Sequence, residues 1–266
     1  MQAVFQAILA VLMSIISFIT GLFGGGKEPE MTMTQVFAIP SLFENVRTIE
    51  GGCTDGTYVY ETIIDPNAED GSVPGRILKI SIAENKAVGI SEELSIDHAN
   101  DITYNSKTRE LIVCNNKPNY TTLTFVDPDS LQVKYTKQIT SAVYSLVYVG
   151  ASDFYYAGIS RTFNVVELDA DFNVKGSFNM IDNGYTRQTL DTDGEYIYAV
   201  YYKQNCIYKY DVNGTFLGRC DLPVTDNEAE NIFFLNGDMY VSYNVLKADS
   251  PNCGIIYRLD NPKFVK

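Results

Sequence analysis

Asp193-Gly194-Glu195-Tyr196-Ile197-Tyr198 and, nine residues further, Ile207-Tyr208-Lys209-Tyr210-Asp211 decide the fold. Asp-Gly accepts the positive φ that a tight hairpin turn requires. Around it, aromatic and aliphatic residues recur at every second position, as in a strand whose side chains point to opposite faces in turn. The second run stops at Asp211. Val212-Asn213-Gly214 then turns the chain into Phe216-Leu217-Gly218-Arg219.

The pattern repeats. Alternating runs that end on Asp occur at 123–127, 165–169, 207–211 and 256–260, with the Asp residues 42, 42 and 49 apart. A fifth copy, Ile77-Leu78-Lys79-Ile80-Ser81, carries Ser in that place. Before each copy lies a hairpin whose second strand reads Tyr58-Val59-Tyr60, Leu111-Ile112-Val113, Phe154-Tyr155-Tyr156, Tyr196-Ile197-Tyr198 or Met239-Tyr240-Val241. Four strands in about 42–50 residues is the period of a propeller blade. Residues 34–266 therefore read as one all-β domain, a five-bladed β-propeller of four-stranded antiparallel sheets. No useful helical period follows Thr34, which argues against alternating βα folds. The fifth unit lacks a full outer strand at its C-terminal end. Residues 35–39 are expected to supply it, closing the ring and removing two open edges.

On these signatures, x-D/N-G-x-Y-I/V-Y and I-Y-K-Y-D among them, the body resembles bacterial extracytoplasmic β-propellers of the broad YVTN/NHL-like kind. The resemblance is one of fold. It implies a cell-envelope setting and no particular reaction. WD40 propellers match less well, since the chain has no Trp.

The 266 residues carry a net charge of −13, which argues against nucleic-acid binding. Residues 1–26 contain no charged side chain. As a helix, residues 2–23 would extend roughly 33 Å, against a hydrocarbon core of about 30 Å. An uncleaved membrane anchor is the first reading of this apolar helix. A cleaved signal peptide is the second, weakened by the missing basic n-region and the poor Gly24-Gly25-Gly26 cleavage site. Residues 27–33 then form a linker.

Inner strands of a propeller surround a central channel. Alignment of the units places Glu50, Asn100, Asp101, Tyr144, Arg187, Gln188, Glu230 and Asn231 at its mouth, polar positions within apolar strands. Such a ring either binds a ligand or lines a hydrated channel. His98, the one histidine, opens His98-Ala99-Asn100-Asp101. A histidine beside a carboxylate suits a general base, and a local hydrogen-bonding role fits it as well. Asp55, Asp101 and Glu230 offer acids for glycosidase-like chemistry, which needs two carboxyl groups about 5–10 Å apart. The expectation is a recognition module for a glycan, peptide or protein, attached to a membrane through residues 2–23. The alternative is a carboxylate-dependent hydrolase or lyase at the channel mouth.

No C-x-x-C pair occurs among the five cysteines, so neither zinc nor thioredoxin-like chemistry is supported. Asp127-Pro128-Asp129 and Asp169-Ala170-Asp171 have turn spacing without a full calcium set. No motif calls for a metal or cofactor. If Asp211 pairs with Thr215, Cys206 lies directly opposite Cys220. Two readings stand for that pair: a cross-strand disulfide, or two reduced thiols in one sheet.

Overall fold

Central strands of this chain are apolar on both faces, so each hairpin needs a neighbouring sheet on either side. The computed structural model describes residues 29–41, 48–64, 75–159, 163–247 and 250–266. The expected apolar helix of residues 2–23 lies outside them, as do residues 27 and 28 of the linker, whereas linker residues 32 and 33 already belong to the first strand.

Met31–Lys266 forms one unit of five four-stranded antiparallel sheets. Blade 1 holds β1 (Thr48–Thr54), β2 (Val59–Ile64), β3 (Arg76–Ser81) and β4 (Lys86–Ile90). Blade 2 holds β5 (Asp101–Asn105), β6 (Glu110–Cys114), β7 (Thr122–Val126) and β8 (Val133–Gln138). Blade 3 holds β9 (Val143–Val149), β10 (Phe154–Ile159), β11 (Asn164–Leu168) and β12 (Val174–Asn179). Blade 4 holds β13 (Leu190–Thr192), β14 (Ile197–Tyr201), β15 (Cys206–Tyr210) and β16 (Phe216–Asp221). Blade 5 holds β17 (Glu228–Leu235), β18 (Asp238–Asn244) and β19 (Asn252–Asp260). Its fourth strand is β0 (Thr32–Pro40), numbered zero because it precedes blade 1 in the chain; it pairs antiparallel with β19.

Five apolar clusters fill the five gaps between neighbouring blades. Strand alternation decides which gap a residue fills. In β2, Val59 and Ile63 pack toward blade 5, whereas Tyr60 and Ile64 pack toward blade 2. In β14, Ile197, Ala199 and Tyr201 face blade 3, whereas Tyr198 and Val200 face blade 5. The inner strands β1, β5, β9, β13 and β17 each contact the next around the ring. Their approach is close enough to require glycine. A Cβ on Gly51 would stand 2.4 Å from Asp101 Cα.

The repeated Asp residues cap turns. Asp127 Oδ1 accepts from Asp129 N and Ser130 N; Asp169 Oδ1 accepts from Asp171 N and Asn173 N; Asp211 Oδ1 accepts from Asn213 N and Thr215 N. Ser81 does the same with its hydroxyl, accepting from Glu84 N. The D-x-D spacing is thus turn chemistry.

The expected placement of Cys206 directly opposite Cys220 is corrected by the structure. Asp211 does pair with Thr215, through Asp211 N to Thr215 O. A bulge then shifts the register between Lys209 and Tyr210, so Cys206 faces Asp221 and Cys220 faces Ile207. The two thiols end on opposite sides of the sheet, Cys206 toward blade 3 and Cys220 toward blade 5. All five cysteines are free and buried.

Candidate functional site

Antiparallel connectivity sends the N-terminal ends of all five inner strands to one face. The connectors between blades and the loops between second and third strands share that face. First hairpin turns lie at the opposite end. Of the expected set, Glu50, His98, Asn100, Asp101, Tyr144, Arg187, Gln188, Glu230 and Asn231 gather at the first face. Asp55 does not. It sits in the β1–β2 turn, where its carboxylate accepts from Thr57 N, Tyr58 N and the Tyr60 hydroxyl.

Bulges build this face. Register shifts fall at Glu50-Gly51 in β1, at Tyr144 in β9 and at Glu230 in β17. A bulge leaves a residue outside the ladder and re-aims its side chain. In the other two blades, Asn100 and Gln188 come just before their inner strands begin.

Most of the ring stitches blades together. The Asn100 amide donates to Tyr144 O at 2.7 Å and to Gln188 O at 3.1 Å. Asp101 Oδ1 accepts from Ile102 N and Oδ2 accepts from Leu146 N. Burial raises the Asp101 pKa well above its usual value, although backbone N–H groups oppose the shift. Thr189 Oγ1 donates to Glu230 O, and the Asn231 amide donates to Glu61 Oε2.

A tighter group surrounds Glu50. Its Oε2 accepts from the Gln188 amide at 2.8 Å and lies 3.4 Å from His98 Nε2. Glu230 is buried beside it and accepts from the Asn244 amide at 2.6 Å. Burial and then the Glu50 charge push the Glu230 pKa well up. His98 therefore faces Glu50, and Asp101, its expected partner, is engaged with backbone instead. Asp97 and Ala99, on either side of His98, both have positive φ, at 52° and 45°. Non-glycine residues in that region hold an unfavourable conformation, which the surrounding contacts enforce. Asn115 and Asn119 amides bond Asp97, fixing the His98 loop.

Two further acids, one wholly buried and one half-buried, are absent from the sequence reading. Glu61, wholly buried in β2, accepts from Ser242 Oγ and Asn231 Nδ2, and burial raises its pKa to about 7. Asp191, in β13, is raised by burial to about 8. Glu61 was visible as an acid inside the apolar run Tyr58-Val59-Tyr60-Glu61-Thr62-Ile63-Ile64. Asp191 was masked by the polar Thr189-Leu190-Asp191-Thr192 context.

Among the described residues, no group of three or more His, Cys, Asp or Glu side chains is arranged to hold a metal ion. No described helix is long and apolar enough to cross a membrane.

These features define a five-bladed β-propeller with a polar, bulge-built central face. Solved structures support that class. A glutaminyl cyclase from Myxococcus xanthus superposes over 90% of this chain and 100% of its own, with TM-score 0.61 and 13% identity. The tail fibre of Staphylococcus aureus phage P68 matches 92% of this chain and 56% of its own, with TM-score 0.64 and 13% identity. A luciferin-regenerating enzyme matches 89% and 98%, with TM-score 0.52 and 12% identity. At these identities the likeness is one of fold. No protein-family profile matches the chain, and no curated protein does.

Proposed function

We propose that the chain is an extracytoplasmic recognition module, held at a membrane by residues 2–23. Its propeller presents the bulged central face to a glycan, peptide or protein. One observation supports this best: the polar residues of the face are spent mainly on bonds between blades, as Asn100 bonds Tyr144 O and Gln188 O. A face fixed in this way loses little conformational entropy on binding. We read the pairing of β0 with β19 as ring closure, which adds to that rigidity. Domain limits follow the same reading, with anchor to residue 26 and a linker after it, except that the propeller's first strand β0 already begins at Thr32, two residues before the expected start at 34.

The test uses full-length protein in mild detergent on glycan and peptide arrays. Saturable binding is expected, and it should weaken when the partly exposed His98 and Tyr144 are both changed to Ala. Binding that survives both changes moves the site elsewhere. Absence of any binding overturns recognition of glycans and peptides.

A hydrolase or lyase reading has one observation in its favour. Glu230 is pushed toward its protonated form beside Glu50, which His98 and Gln188 hold. An acid held toward its protonated form next to a second carboxyl group is placed as a general acid would be. Turnover of chromogenic glycosides that disappears in Glu230→Gln would establish this reading. Array binding without turnover retains the first.

A further inference from the structure

A cleft of ≈ 290 Å³ opens at the junction of blades 3 and 4, on the same face as the polar ring. The connector from β12 to β13 forms one wall, with Asp182, Asn183, Tyr185 and Arg187. Phe163 and Tyr201 form another. Three aromatic rings thus line a space that also holds a guanidinium.

Arg187 is 3% exposed, so its charge is carried into a poorly hydrated place. Glycine makes the room: a Cβ on Gly158 would stand 2.2 Å from Arg187 Nη2. Its charge neighbours include Asp101, together with the Tyr201 and Tyr210 hydroxyls.

Asn183 adds a donor. Its Oδ1 accepts from Tyr185 N at 2.8 Å, which fixes the side-chain amide and turns Nδ2 the other way. That Nδ2 is buried and makes no well-formed hydrogen bond; its neighbour is the Tyr201 hydroxyl. Tyr201 OH lies 3.4 Å from Tyr210 OH. Tyr185 stands edge-on to Tyr201 at 6.0 Å, and the Arg219 guanidinium sits 5.9 Å from the Tyr185 ring.

Arg187 Nη1 donates to Met180 Sδ at 3.9 Å, and the guanidinium, amide N–H and phenol groups gathered in one aromatic cleft can also donate to an acceptor with negative charge. Asp182, exposed at the rim, disfavours a dianion through like-charge repulsion. We propose that this cleft binds a carboxylate monoanion borne on an apolar or aromatic group, with Arg187 and Asn183 holding the carboxylate and Phe163, Tyr185 and Tyr201 enclosing the rest. This deepens the recognition reading and rests on it.

N-acetylphenylalanine carries both features, and its primary amide lacks only the charge. Titration of both into the full-length protein in detergent, followed by calorimetry, is the test. The acid is expected to bind about tenfold or more tightly than the amide, the scale of a hydrogen bond to a charged group. Asn183→Asp keeps the acceptor for Tyr185 N and replaces the donor with a like charge. It should weaken the acid about tenfold or more and leave the melting temperature near wild type. Arg187→Gln should abolish the preference for acid over amide. If that variant does not fold, Asn183→Asp decides alone.

Equal affinity for acid and amide overturns the proposal, as does an Asn183→Asp variant that binds like wild type. So does a wild-type affinity for the acid weaker than about 10 mM. Should the acid fail while array binding persists, the carboxylate cleft falls and recognition by the face stands. Should both fail, the recognition reading falls too.

Discussion

Glu61 lies wholly buried between Ser242 and Asn231, and burial lifts its pKa from 4.5 to about 7. Both the folded and the unfolded chain hold the proton below pH 4.5, so the group then imposes no penalty. As pH rises past that value, the unfolded chain releases the proton and the folded one keeps it. Stability therefore falls with rising pH up to about 7, by about 3 kcal/mol in all, and is level above. Glu61→Gln removes this titration. Denaturant unfolding of variant and wild type at pH 5 and pH 8 should show a smaller pH difference in the variant. Parallel behaviour would show that Glu61 does not titrate in this range. Cysteine chemistry gives a second test at this scale. Burial raises the Cys206 and Cys220 thiols to about 11, and all five cysteines are buried. Native protein at pH 8 should leave Ellman's reagent uncoloured, whereas denatured protein should release five equivalents. Three equivalents after denaturation without reductant would mean a disulfide.

First hairpins show how a short motif specifies an element. In blade 4, Asp193 Oδ1 accepts from Glu195 N and Tyr196 N, and Oδ2 accepts from the Tyr198 hydroxyl. Blade 1 repeats the arrangement with Asp55, Thr57, Tyr58 and Tyr60. Lys209 and Lys79, from the third strands, cover Tyr196 and Tyr58 at 3.5 and 4.4 Å. Asp193→Ala should cost about 1–3 kcal/mol, since it strips two turn N–H groups and the buried Tyr198 hydroxyl of their acceptor. Tyr198→Phe in the same background should add little, because the hydroxyl has already lost its partner. A full additive cost in a double-mutant cycle would break this coupling.

Blade period and blade count were legible because strand alternation and turn residues are local signals. Register was not. Outer strands carry a bulge at the same place in four blades, near Val88, Lys134, Lys175 and Leu217. No residue type marks these bulges, so counting outward from the Asp211 turn misplaces Cys206 by one position. Likewise, the polar ring was legible as polar residues in apolar strands. That His98 faces Glu50, and that Asp55 lies at the far end, depends on how five blades meet. The connector at Asp182–Arg187 looks like an ordinary turn until Phe163 and Tyr201 are brought beside it.

At the scale of the whole molecule, charge and apolar length are segregated along the chain. Every one of the 20 Lys and Arg and 33 Asp and Glu lies beyond Gly26, while residues 1–26 carry none. Central Leu and Ile residues in such a segment favour insertion by a few tenths of a kcal/mol each, and no charge opposes them. On the proposed anchoring, full-length protein should sediment with membranes and resist extraction at alkaline pH. Acidic surface keeps a propeller soluble by self-repulsion. A chain lacking residues 1–30 is therefore expected in the supernatant. Recovery of full-length protein in the supernatant would overturn anchoring. Mass spectrometry of the native N-terminus separates the remaining routes. An intact Met1 in the membrane fraction means an anchor. A chain that begins near Lys27 means a cleaved leader, in which case the propeller reaches its partner as a secreted protein and the membrane has no part in recognition.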